Sequence, residues 1–212
     1  MSRFLELLAH PNTVEECVLR SRFGFMAYHG GKLEAMTDTI ARAAAERSDA
    51  SYYGLLFPDD IAHLTSTAFD PEQSPIMASF LEHVDVVVTI HGYGRMNFWT
   101  TLLMGGTHRE LADHLSGHLR ETLPDYTVLT DLEKIPEQLR GLHPRNPVNL
   151  TRLGGVQIEL PPRIRGAGPM WNSWKGPGLV PHTSSLIEGL VASATSWPEN
   201  LRGESFDDPG VA

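Results

Sequence analysis

Phe25-Met26-Ala27-Tyr28-His29-Gly30-Gly31-Lys32-Leu33-Glu34 is the stretch that decides how this chain is read. A short apolar run ends in Tyr28-His29, two glycines follow, and Glu34 stands where a helix-like segment opens. That is the pattern of a strand, a tight turn and a helix start. It sets an imidazole and a carboxylate around one turn at the carboxyl end of a strand. In open α/β sheets ligands bind at that edge. One imidazole and one carboxylate are part of a catalytic zinc site, which usually takes three protein ligands and leaves a position for water.

The pattern returns sixty residues on. Asp85-Val86-Val87-Val88-Thr89-Ile90 is apolar and β-branched, as a buried strand is, and it ends in His91-Gly92-Tyr93-Gly94. Two strands that each deliver a histidine to one edge are hard to explain by packing alone. A third strand is expected at Gly155-Val156-Gln157-Ile158-Glu159-Leu160. Gln157 and Glu159 share one of its faces, and Val156, Ile158 and Leu160 the other. Glu159 lies near the strand's end, where a carboxylate can take a proton from an activated water.

Taken in order, Tyr28-His29-Gly30-Gly31 with Glu34, His63-Leu64-Thr65-Ser66-Thr67-Ala68-Phe69-Asp70, Ile90-His91-Gly92, Gly105-Gly106 and the 155–160 strand resemble the successive motifs of the poly-γ-glutamate hydrolases first known from phages. The resemblance runs from Gly24 to Arg165. It implies a zinc-carboxypeptidase-like fold, Zn2+ held by His29, Glu34 and His91, and Glu159 as general base. The chain departs from the family pattern at Lys32, where glycine is usual, and in an Asn/Arg cluster (Asn146, Asn149, Arg152) displaced relative to the Glu159 strand.

At 212 residues the chain is expected to form one domain, with its core over about 22–194, an N-terminal arm and a C-terminal tail. A hydrophobic share of 41% against 20% charged residues marks it as globular. Cys17 is the only cysteine, which excludes an intrachain disulfide. The formal charge of −9 argues against nucleic-acid binding. No apolar run approaches the roughly 18 residues of a membrane span. The N-terminus turns polar at once and lacks a signal-peptide core, so a cytoplasmic protein is expected, or one released by lysis if phage-encoded.

The expected elements alternate. They are an arm over 1–20, strands at 22–28, 51–57, 63–68, 85–90, 98–104, 125–129 and 155–160, and helices at 34–47, 74–83, 107–123 and 183–194. Ser74-Pro75 opens one helix by the cap rules, and Thr107 with Glu110 reads as a capping box for another. The fold class is therefore α/β, a mostly parallel or mixed sheet flanked by helices. His114 and His118 share a helix face, but Leu115 stands where a zinc-protease helix needs its glutamate, so they read as a solvated face.

From 134 to 175 the basic residues are Lys134, Arg140, Arg145, Arg152, Arg163, Arg165 and Lys175, against only Glu137 and Glu159. One basic segment on an acidic chain suggests cationic subsites for an anionic substrate. Arg163, then Arg95, is the choice to stabilise an oxyanion or a substrate carboxylate. Asn149, Arg152, Arg165 and His63 are candidates to bind substrate. The expected function is a zinc amidohydrolase that cuts γ-glutamyl bonds of an anionic peptide polymer. A carboxypeptidase-like cell-wall peptide hydrolase and a non-catalytic anionic-peptide-binding module are the alternatives. The retained Glu159 speaks against the module, since binding alone needs no base.

Overall fold

The structure is a computed structural model, and it describes residues 2–58, 62–168, 171 and 174–198. The elements in chain order are α1 (Arg3–Leu8), β1 (Val14–Val18), β2 (Phe23–Gly31), α2 (Thr37–Ser48), β3 (Ser51–Phe57), α3 (Pro75–His83), β4 (Val86–Gly92), β5 (Thr101–Gly105), α4 (Arg109–Thr122), β6 (Thr127–Leu129), β7 (Gly155–Leu160) and α5 (Pro181–Ser196). The seven strands form one sheet in the order β1-β3-β2-β4-β7-β5-β6. β3, β2, β4 and β7 run parallel, while β1 is antiparallel to β3 and β5 to β7. The sheet is thus mixed, parallel at its centre.

Side-chain alternation assigns the two faces. Phe23, Phe25, Val86, Val88, Ile90, Val156 and Ile158 pack under α2, α4 and α5 through Ile40, Ala44, Leu111, Leu115, Leu119, Leu186 and Leu190. Met26, Tyr28, Tyr53, Leu55 and Val87 form the other core with Met77 and Phe80 of α3 and Phe4 and Leu7 of α1. Near-continuous apolar strands are what a sheet covered on both faces requires.

The central strands position the site. β2 connects through α2 to β3 on one side, and the chain then crosses to β4 on the other side of β2. The gap between the carboxyl ends of β2 and β4 is therefore a topological switch point, where doubly wound sheets open a crevice. The β2–β4 pairing stops at Met26–Thr89, so the two strands part before His29 and His91.

Several elements differ from expectation. The N-terminal arm contains a sheet-edge strand, β1, paired to β3 along its length. Its Val-Glu-Glu-Cys-Val lacks strict alternation, so its pairing partner decides it. Residues 63–68 are not a strand: Ser66–Ala68 form one 3-10 turn. α2 begins at Thr37 rather than Glu34, because Met36 takes a left-handed backbone. His108, not Thr107, caps α4 by accepting from the Leu111 N–H. Ser74 does cap α3, with Pro75 at the first position. The tail from 199 lies outside the described residues. Among the described residues no helix is long and apolar enough to cross a membrane.

Candidate active site

Backbone irregularity aims His29. Ala27 pairs with Gly54, but Gly30 pairs with Leu56, so β2 advances three residues while β3 advances two. This bulge puts Tyr28 and His29 on the same side, where regular alternation would oppose them. His91 lies on that side too. Gly31 then turns the chain at φ 70°, where a Cβ would lie 2.5 Å from the Phe57 carbonyl oxygen. The Glu34 N–H donates to the His29 carbonyl at 2.9 Å, and the Glu34 carbonyl accepts from the Thr37 hydroxyl at 2.8 Å. Turn and helix start together fix Glu34 against His29.

The three side chains meet. His29 Nδ1 is 2.9 Å from Glu34 Oε1 and 3.1 Å from His91 Nδ1, and His91 Nδ1 is 3.2 Å from Glu34 Oε2. The Gly92 N–H donates to Oε2 at 2.8 Å. All three residues are buried. Tyr28 packs edge-on against both imidazoles, at 5.0 and 4.8 Å between centroids, and Phe69 closes over His29. Burial would raise the Glu34 carboxyl, but His91 and His29 hold it well below the usual carboxylate range. Burial keeps His29 low; at His91 burial acts the same way, but Glu34 outweighs it and raises that ring. The site is therefore an ionised carboxylate facing two Nδ1 atoms.

This donor set fits a metal ion. Two ligands about 2.1 Å from a tetrahedral ion lie about 3.4 Å apart, so the observed separations need to open by only a few tenths of an ångström. Both Nε2 atoms are buried and make no protein hydrogen bond, so Nδ1 is the nitrogen each ring aims at its neighbours. Among the described residues, His29, Glu34 and His91 are the one group of three whose ligand atoms converge in this way.

Glu159 stands beside them. His91 and Glu159 are register partners on adjacent parallel strands, so their side chains leave the same face of the sheet. Burial pushes the Glu159 carboxyl up to about 7; His91, Gln157 and Arg165 oppose the shift and Glu34 adds to it. His29, Glu34, His91 and Glu159 line one cavity of about 310 Å³ with Thr65, Ser66, His63, Tyr93, Gln138 and Gln157. It continues at Thr65, Ser66, Gln138 and Gln157 into a cavity of about 510 Å³, and that one meets a third at Thr67. The 3-10 turn thus presents its hydroxyls as one wall of a groove.

The other candidates scatter. His63 lies at the mouth, its ring 4.8 Å from His29 and its Nε2 3.7 Å from Glu34 Oε1. Arg95 is exposed on the loop after β4, near Tyr93. Arg163 does not line the cavity; its guanidinium lies 5.7 Å over the Tyr126 ring, beside β6. Arg152 pairs with Asp85 at 2.6 Å, at the start of β4 and so at the opposite end of that strand from His91. Asn149 is used internally: it accepts from Thr107 and donates to the carbonyls of Gly141 and His143. Arg165 is a staple, donating to the carbonyls of Ala35 at 2.8 Å and Leu160 at 3.2 Å. It joins the two segments that carry Glu34 and Glu159. It passes Gly92 so closely that a Cβ there would come within 2.7 Å of its Cζ.

Asn146 and Gln157 belong to the site more than the arginines do. A polar pair, Gln157 and Glu159, on one face of an otherwise apolar strand was the available signal for Gln157. Asn146 was marked only as part of the displaced Asn/Arg cluster, with no role assigned to it; it arrives from a loop and is buried.

The family model for poly-gamma-glutamate hydrolase matches residues 5–174. No curated protein sequence matches the chain. Among solved structures, a bacteriophage poly-gamma-glutamate hydrolase is similar at a TM-score of 0.71 and 22% identity, covering 85% of this chain and 87% of that one. A protein called YndL, in its zinc-free apo form, is similar at a TM-score of 0.70 and 20% identity over 87% and 90% of the two chains. A metallo-carboxypeptidase from Pseudomonas aeruginosa, in complex with (2-guanidinoethylmercapto)succinic acid, follows at 0.50 and 15% identity over 94% and 68%. These likenesses show the fold, which is carboxypeptidase-like.

Proposed function

The chain belongs to the poly-γ-glutamate hydrolase family, and from that premise we propose that it is a zinc-dependent amidohydrolase cleaving γ-glutamyl amide bonds of poly-γ-glutamate or a similar anionic peptide polymer. The observation that carries this reading is the convergence of His29 Nδ1, His91 Nδ1 and the Glu34 carboxylate on one point, with Glu159 abreast of His91. Two of the structural neighbours, described as a zinc-free form and as a metallo-carboxypeptidase, support zinc as the ion.

His29, Glu34 and His91 would hold the zinc ion, which when bound would supply Lewis acidity at the scissile carbonyl. Glu159 takes a proton from the attacking water as the carbon–oxygen bond forms. It returns that proton to the amide nitrogen as the carbon–nitrogen bond breaks. The second proton of the water passes from the new carboxylic acid to the released amine, so the products are a carboxylate and an ammonium group, and the base is regenerated. Tyr93 cannot serve as the polarising donor, because its hydroxyl already donates to the carbonyls of Phe98 and Thr101. His63 lines the cavity, and its imidazole is the donor this reading assigns to the developing oxyanion. The groove past Thr65, Ser66 and Thr67 holds the chain on one side of the cut.

One observation favours the cell-wall peptide as a second reading. The outer parts of the groove carry Arg140 and Arg145 but also Glu137, Asp70 and Glu72, so the lining is nearly balanced in charge. Metal analysis, followed by incubation with poly-γ-glutamate and with peptidoglycan fragments, tests both readings. Chain shortening of poly-γ-glutamate by the metal-loaded protein alone is the expected result. Turnover of only the peptidoglycan fragments selects the second reading, and turnover of neither removes both.

A further inference from the structure

Glu159 is held by a chain of hydrogen bonds that runs in one direction. The Tyr28 hydroxyl donates to Asn146 Oδ1 at 2.9 Å. Asn146 Nδ2 donates to Gln157 Oε1 at 2.9 Å, and Gln157 Nε2 donates to Glu159 Oε1 at 2.9 Å. All four residues are at most 5% exposed. The orientation of the two amides is forced from outside the chain. The Val148 N–H, which can only donate, points at the same Asn146 oxygen at 3.4 Å. Asn146 must therefore turn its NH2 toward Gln157, and Gln157 must turn its own toward Glu159. Glu159 lines the cavity, so the chain ends on it.

We infer that Tyr28, Asn146 and Gln157 are positioning residues for Glu159: their hydrogen-bond chain occupies Oε1 with an N–H and leaves Oε2 as the oxygen that meets the reacting water. This rests on the reading of Glu159 as the general base. An amide flipped the other way would face Glu159 with a carbonyl oxygen and repel the carboxylate. A glutamate free to rotate would divide its time between productive and unproductive rotamers. The chain removes both losses before substrate arrives. Residues that orient a catalytic group in this indirect way typically change activity by about 10- to 100-fold when removed, and they act on kcat because they do not touch substrate.

The test uses Gln157→Met, which keeps the volume and removes the amide, and Tyr28→Phe, which removes one hydroxyl and keeps the ring. Each is assayed for zinc content, melting temperature and steady-state kinetics on poly-γ-glutamate. Gln157→Met is expected to lower kcat about 10- to 100-fold with KM within about twofold and zinc content unchanged. Tyr28→Phe is expected to lower kcat in the same pattern but less, since Val148 still orients Asn146. In a Glu159→Asp background, whose shorter carboxylate the amide no longer reaches, the Gln157→Met penalty is expected to shrink to less than about twofold. Unchanged kcat in Gln157→Met, or a full penalty in the Glu159→Asp background, overturns the inference. Loss of zinc together with activity in both variants also overturns it, because the residues then serve the metal site. Normal turnover in Glu159→Gln is a different failure: it removes the base itself.

Discussion

Burying a carboxylate near a second carboxylate costs folding free energy, and Glu159 does so beside Glu34. The carboxyl is raised from 4.5 to about 7. Between those values the metal-free folded protein holds a proton that the unfolded chain has released. Its contribution therefore lowers stability as pH rises through that window, and the effect is complete above about 7. Glu159→Gln removes the charge and keeps the shape. In metal-free protein at pH 8 it should raise stability by an amount on the order of 3 kcal/mol, seen as a higher melting temperature that returns to the wild-type value near pH 4. The same variant, zinc-loaded, should lose turnover by more than the roughly 10²–10⁴ usual for a general base, because the carboxylate also orients the water. Lower stability at pH 8 with full activity would make Glu159 a structural residue. His91→Ala should lose most of about one zinc per chain, and zinc retained in both His29→Ala and His91→Ala would remove the metal site. At this scale the clustering of His29, Glu34, His91 and Glu159 was legible: the two histidines stand at strand ends beside glycine, Glu34 in the turn that follows the first, and Glu159 in an otherwise apolar strand. The arginines were not. A guanidinium reaches far on a flexible stem, and its partner here was Tyr126, Asp85 or a carbonyl that no local pattern reveals.

At the scale of elements, the active-site turn depends on the bulge after Ala27 and on Gly31. Without the extra residue His29 would leave the opposite face of β2, toward the core under α2. Gly31→Ala forces a Cβ to within 2.5 Å of the Phe57 oxygen at φ 70°, so the backbone must shift. It should destabilise the protein by about 2 kcal/mol or more. Because the turn carries Glu34, zinc affinity should fall as well, which equilibrium dialysis against the metal would detect. A stable variant with normal zinc affinity would mean that the turn is not what holds Glu34. Strands flanked by glycine and helices with a capping serine were readable from sequence, as β4 and α3 show. The bulge was not, because a register shift is a relation between two strands. The same reason hid β1, whose only argument for being a strand is β3. It also misled the reading of 63–68, where β-branched threonines sit in a 3-10 turn beside the groove rather than in the sheet.

For the whole molecule, the proposed reading asks a chain of net charge −9 to bring an anionic polymer to its cleft. The basic residues between 134 and 175 promised a positive surface to do it. In the fold, Arg152 and Lys134 are paired with Asp85 and Asp131, Arg163 lies over Tyr126, and Arg165 is folded onto carbonyls behind Gly92. Arg140 and Arg145 line the groove, but Glu137, Asp70 and Glu72 share it. The wall next to the site is made of hydroxyls and an amide from Thr65, Ser66 and Gln138, while Gln157 commits its own amide to Asn146 and Glu159. Recognition then rests on directional hydrogen bonds, which salt does not screen. The long-range force between protein and substrate is repulsion, which salt weakens over a Debye length of about 10 Å at 0.1 M. KM for poly-γ-glutamate should accordingly stay flat or fall as salt is raised from about 0.05 to about 0.5 M, with zinc content constant. Arg152→Gln should leave kcat and KM unchanged, because its guanidinium is held at the far end of β4, and should lower stability instead, since it leaves Asp85 buried with a weaker partner. A KM that climbs more than about tenfold over that salt range would show that cations in the groove hold the substrate after all, with Arg140 and Arg145 the first to replace.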